Sequence, residues 1–181
     1  MSSIEDEFLS DIVETKTHAK KRKNSKVKGN RGENDLVHIL NERFKGYTFA
    51  RSVSSGAYTG GSNQSRAVSL TEEQKLVFSG DIRIPVNFKF TIEHKFYNSF
   101  EFWWLFSDKS TLYEWYKQSE TDAKNVNKKP MLVVKCNNHK RIVFINIEDA
   151  PKKIRPVFVH ENKCCYGLEE LLTLEDEYFF D

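Results

Sequence analysis

The 181-residue chain has no apolar run of the roughly 18 residues that a membrane-spanning helix needs. Its opening residues, Met1-Ser2-Ser3-Ile4-Glu5-Asp6-Glu7, are acidic where a secretory leader would be basic and then apolar. No membrane association is therefore expected. Cysteine is scarce: Cys136 and the adjacent pair Cys164-Cys165. Such a set makes no disulfide framework, and a reducing cytoplasm is the simple expectation. His160 lies near the pair, but the spacing fits no common zinc site. Net charge is nearly absent, at +2.

Hydrophobic residues make up 39% of the chain and aromatics 13%, enough for one domain with a sizeable core. The charge is unevenly placed. Between Lys16 and Arg31 there are eight Lys or Arg and no acid; between Glu169 and Asp181 there are six acids and no base. A basic segment of this density suits a polyanionic partner, or is simply a solvated charge run. Residues 1–15 carry Ile4, Phe8, Leu9 and Ile12 at near-helical spacing. Residues 16–30 read as a mobile basic arm.

Two strands with a turn at Pro85-Val86-Asn87 form the centre of the pattern: Ser79-Gly80-Asp81-Ile82-Arg83-Ile84-Pro85, then Phe88 to Lys95. Alternation puts Phe88, Phe90, Ile92 and His94 on one face, and Thr91, Glu93 and Lys95 on the other. Glu93 and Lys95 are then neighbours about 6–7 Å apart. Asp81 opens the preceding strand beside a glycine. Two carboxylates and an ammonium at one hairpin suit a hard divalent cation and an activated water. Upstream, Glu33, Leu36, Leu40 and Phe44 share one helical face, so a carboxylate sits in the first turn of a sheet-facing helix. It is either a metal ligand or an exposed acid favoured by the helix dipole.

Asp81 followed twelve residues later by Glu93-His94-Lys95 resembles the PD-(D/E)xK nuclease superfamily, with Gly80 where the family usually has proline. Lys28-Gly29-x-x-Gly32-Glu33 before an amphipathic helix is similar to the opening of the archaeal- and phage-type Holliday-junction resolvases. Tyr47-Thr48-Phe49-Ala50-Arg51 followed by Ser55-Gly56 matches their aromatic strand and serine loop, with Ser54 the neighbouring candidate. The resemblance covers residues 28–147. It implies an α/β fold with a restriction-endonuclease-like core, a central mixed β-sheet flanked by helices.

It also implies a site. Glu33, Asp81 and Glu93, with the backbone carbonyl of His94, would hold Mg²⁺, with Mn²⁺ expected to substitute. Lys95 would orient or deprotonate the attacking water, and Ser55 would lie near the scissile phosphate. Gln118 is either a residue aimed at the site or a surface glutamine. The cations expected on DNA are Lys20, Lys21, Arg22, Lys23, Lys26, Lys28, Arg31, Arg51 and Arg66. The partner implied is branched DNA, a four-way junction above all, cut by a homodimer. A phage source would make the compartment the host cytoplasm.

Residues 52–66 read as a Ser/Gly loop and 67–78 as an insertion without assigned function. Seven aromatics crowd residues 96–106; they serve either a core or dimer interface, or a stacking surface for opened DNA. A helix is expected over 110–126 with Leu112, Trp115 or Tyr116, Ser119, Ala123 and Val126 inward. Pro130 ends the connection, and 131–135 and 141–145 read as covered strands around an Asn137-Asn138 turn. The organisation expected is an N-terminal segment and arm (1–27), a nuclease core (28–148) and a C-terminal extension packed on it (149–181), the last without definite elements. The rival readings are a duplex-cutting nuclease of restriction or repair type, a non-catalytic DNA-binding protein of the same fold, and a phosphatase-like metal enzyme.

Overall fold

A computed structural model describes residues 26–52 and 79–181. The chain divides into two units, Met1–Arg31 and Gly32–Asp181. Helix α1 is helical over residues 26–43. Residues 26–30, expected as the end of the arm, are therefore helical. Lys, Arg and Asn are compatible with a helix, and Gly29 and Gly32 do not interrupt it.

The second unit holds a seven-stranded sheet: β1 (Ala50–Arg51), β2 (Ile82–Arg83), β3 (Phe90–Tyr97), β4 (Lys129–Cys136), β5 (Ile142–Asn146), β6 (Phe158–His160) and β7 (Lys163–Gly167). Its order is β1-β2-β3-β4-β5-β7-β6. β3 and β4 are parallel and every other pair is antiparallel. A parallel pair needs a crossover, and α2 (Thr111–Asn125) supplies it. Ser110 caps α2: its hydroxyl accepts from the Tyr113 amide at 3.2 Å.

The sheet is covered on both faces. Leu36, Leu40 and Phe44 of α1 pack with Phe90, Ile92, Met131, Val133, Val143, Ile145, Cys164 and Tyr166. Leu112, Trp115 and Tyr116 of α2 pack with Leu132, Val134, Cys136, Phe144 and Cys165 on the other side. The alternation along β4 explains its unbroken apolar run, since both faces are buried. Pro130 does not end the connection but is the second residue of β4.

Beyond Asp149, where no element was expected, β7 inserts between β5 and β6, followed by α3 (Leu168–Leu171) and α4 (Asp176–Phe179). Phe179 and Phe180 join the α1-side core: Phe44 lies 5.0 Å from Phe179 and 5.1 Å from Phe180, ring centre to ring centre. The Lys89 amide donates to Phe179 O at 2.8 Å. Of the crowded aromatics, Phe100 and Trp104 pack on the α2-side cluster, whereas Phe102, Trp103 and Phe106 stay exposed on a 3-10 turn. Among the described residues no helix is long and apolar enough to cross a membrane.

Candidate active site

The site grows from the start of β2, beyond which β3 runs on without it. Gly80 has φ +72°, and a Cβ there would stand 2.7 Å from the Ile92 carbonyl oxygen, so only glycine lets the chain pass this close to β3. The Asp81 amide then donates to Ile92 O at 2.9 Å, and its carbonyl accepts from the Ser52 amide at 2.9 Å. With its backbone tied to both neighbours, Asp81 turns its carboxylate along β3. There Oδ2 accepts from the His94 amide at 2.9 Å. The Ser79 hydroxyl donates to Asp122 O at 3.0 Å and ties this turn to α2.

Glu93 and Lys95 share the face of β3 that α2 covers. Lys95 Nζ donates to Glu93 Oε1 at 2.6 Å and to Gln118 Oε1 at 3.3 Å. Gln118 is thus brought to the site. Glu93 is 2% exposed. Burial, then the Asp81 charge, pushes its carboxyl up to about 8 against the pull of Lys95. For Lys95, burial opposes the charged form, but Glu93 and Asp81 outweigh it and hold the ammonium above its ordinary value.

Glu33 projects from α1 and meets Arg51, whose guanidinium lies 3.4 Å from Oε2. Burial and then Asp81 raise the Glu33 carboxyl despite that guanidinium. Arg51, expected on DNA, is thus engaged with Glu33. A further carboxylate was not anticipated: Asp122, one helical turn after Gln118. It too is raised by burial and then by Asp81.

The His94 side chain lies on the opposite face, as alternation predicts. Its ring is 4% exposed, and neither ring nitrogen has a hydrogen-bond partner among the described residues. Burial, then Arg141 and Lys95, drives its pKa down to about 3, so it is neutral at any ordinary pH. Ser54, Ser55, Arg66, Lys20, Lys21, Arg22 and Lys23 lie outside the described residues. Lys26, Lys28 and Arg31 sit in the first turns of α1, within the N-terminal unit.

Among the described residues no three His, Cys, Asp or Glu side chains stand together as a ready metal cage. Glu93 is turned to Lys95 and Glu33 to Arg51. The donor chemistry nevertheless fits a hard dication. Asp81 raises the carboxyls of Glu33, Glu93 and Asp122 alike, a mutual repulsion that a cation among oxygen donors relieves.

A family described as "Phage putative PDDEXK endonuclease" matches residues 24–166. The chain belongs to that family. The matched region of this PD-(D/E)xK family member contains Glu33, Asp81, Glu93, Lys95, Gln118 and Asp122, and it runs through β7. The mixed α/β sheet agrees with the match. No curated protein and no solved structure matches the chain.

Proposed function

We propose that the protein is a divalent-metal-dependent DNA endonuclease that nicks branched DNA, four-way junctions above all. The observation that carries the reading is the convergence on the open end of β2 of Asp81, Glu93, Lys95 and Gln118, with Glu33 electrostatically coupled to them.

Asp81, Glu93 and Glu33 would hold the metal. The His94 carbonyl, on the strand edge whose amide already binds Asp81, would be a further ligand. When bound, Mg²⁺ or Mn²⁺ polarises the scissile phosphate and offsets the charge that builds on it. Lys95, held as an ammonium by Glu93 and Gln118, would orient the attacking water by donating to its oxygen; to take the water's proton it would first have to give up its own. To act as a ligand Glu93 would have to give up its contact with the Lys95 ammonium. Ser55 and the basic residues from Lys20 to Arg31, with Arg66, are the proposed phosphate contacts, and Arg51 joins them if Glu33 lets go. A twofold substrate cut in symmetric pairs calls for a homodimer. A phage gene product of this kind would act in the host cytoplasm.

A duplex-cutting nuclease of restriction or repair type would use the same residues. Incubating the protein with Mg²⁺ and labelled four-way junction, flap and duplex, then mapping nicks, separates the readings. Paired symmetric nicks confined to the junction support resolution. Equal cutting of plain duplex rejects it.

A further inference from the structure

The face of β3 that carries Glu93 and Lys95 carries Tyr97 next, about 6–7 Å beyond the lysine. Tyr97 starts an aromatic path. Its ring lies 4.5 Å from Trp115 and 6.4 Å from Trp104, and Trp104 lies 5.6 Å from Phe100. These rings seat the following 3-10 turn (Phe102–Phe106) on the core. Three rings on the same turn face outward: Phe102 is 58% exposed, Trp103 74% and Phe106 48%. They touch one another, with Phe102 5.4 Å from Trp103 and 5.3 Å from Phe106. Phe106 also lies 5.3 Å from Phe158 and 5.6 Å from His160. The rim carries Glu101 and Asp108 against the single cation Lys109, all exposed, and is slightly acidic.

Apolar rings held out in water cost free energy unless something covers them. A phosphate backbone would gain nothing from a rim with two acids and one base. Flat, uncharged faces gain a great deal, because every nucleobase offers a π-face to an aromatic side chain. The inner rings start beside the lysine proposed for the chemistry, and the turn that carries the outer rings is seated through its own Trp104, one of those inner rings. We infer that Phe102, Trp103 and Phe106 form a stacking ledge for unpaired bases of the DNA strand that leaves the active site. The ledge selects branched or locally opened DNA over intact duplex. The inference rests on the nuclease reading and names the part of the substrate that makes it structure-specific.

The test is binding by the full chain in EDTA, where no cutting occurs. The probes are a fluorescein-labelled duplex with a single-stranded thymidine branch and the same duplex fully paired. Trp103→Ala should weaken binding of the branched probe by about five- to a hundredfold, the range for one lost base stack, and leave the paired probe unchanged. Phe102→Ala/Phe106→Ala should do the same, and Trp103→Phe should retain most of the affinity. The fold-loss should be equal at low and moderate salt, because stacking releases no counterions. Equal losses on both probes, or none, would overturn the ledge. So would sedimentation showing a wild-type dimer that Trp103→Ala converts to monomer, which would give the surface to a second copy. Cleavage with Mg²⁺ is scored separately: wild type that cuts while ledge variants keep full branch affinity sinks this inference alone. Wild type that never cuts, yet loses branch affinity with Trp103→Ala, sinks the nuclease reading alone.

Discussion

The carboxylate of Asp81 takes the place of a strand. Just before β2 begins, its Oδ2 accepts the amide hydrogen of His94 at 2.9 Å, a bond that a ladder carbonyl would otherwise make. The residue that carries charge into the site therefore also holds the backbone of β3 in register.

This double role makes Asp81→Asn an informative change. The asparagine oxygen can still accept from His94, so the fold should hold, while the charge is gone. Cleavage should fall at least about a hundredfold, since metal-borne charge stabilisation is worth several kcal/mol. DNA binding should stay equal or tighten. The carboxyls of Glu33, Glu93 and Asp122, all raised in part by Asp81, should move down in an NMR titration. Wild-type cleavage rates in this variant would remove Asp81 from the site.

Lys95→Ala should abolish cleavage and also destabilise the metal-free protein. Above about pH 8, where Glu93 is ionised, it strands that buried carboxylate, and breaking a buried pair costs about 3–5 kcal/mol; below that pH Glu93 keeps its proton and the loss is smaller. Mg²⁺ should recover part of that loss, because lysine is not a ligand and the cation replaces its charge. Urea unfolding with and without Mg²⁺ measures both. A variant as stable as wild type without metal would contradict the pairing.

Gly32→Ala should destabilise even though alanine is the better helix former by about 1 kcal/mol. The added Cβ would stand 2.6 Å from His94 Cε1 and 2.7 Å from Phe96 Cδ1. Overpacking of this kind costs about 1–3 kcal/mol. His94→Ala opens the same space, so the double variant should be more stable than the sum of the two single effects. Strict additivity would show that the two residues do not meet.

Stability should have two pH limbs. Glu93 titrates near 8 in the folded metal-free protein against an ordinary 4.5, so the folded state holds an extra proton across that window. Stability therefore falls as pH rises through it. His94 titrates near 3 against an ordinary 6.5, so stability falls as pH drops from 6.5 to 3. The two slopes, each at most about 1.4 kcal/mol per pH unit, oppose one another between 4.5 and 6.5 and leave a plateau there. His94→Gln should flatten the acid limb and saturating Mg²⁺ the alkaline one. Chemical denaturation across pH reads both; an unchanged acid limb in His94→Gln would mean the ring is not buried neutral.

The hairpin around Asp81, Glu93 and Lys95 was legible because alternation along a strand is a local rule, and the turn at Pro85-Val86-Asn87 announces itself. The Phe88 amide does donate to Pro85 O at 3.0 Å. Gln118 was singled out by the resemblance to the nuclease superfamily, not by the period of α2. Three features were not legible. The start of α1 lies in residues 26–31, whose polar run reads as solvated chain. The β6–β7 hairpin turns at Glu161, a non-glycine residue with φ +49°, and its inner strand carries Cys164-Cys165, which suggests thiol chemistry before it suggests a core. Burial pushes Cys165 up to about 12, so that thiol is inert packing. Asp122 escaped because its relevance depends on the Ser79–Asp122 tie between α2 and the Gly80 turn, a contact between segments far apart in sequence.

Phe179 and Phe180 lie against Phe44 and Phe88, with Phe180 bridged to Phe88 in antiparallel fashion. Glu33, Asp81, Glu93, Lys95 and Gln118 all leave the ribosome well before these two rings. A nascent chain therefore carries the whole set of reactive groups while the α1-side core still lacks its closing aromatics. Contacts this distant in sequence form late and slowly. Synthesis order thus puts the closing of the α1-side core last, after residues 179 and 180 have emerged.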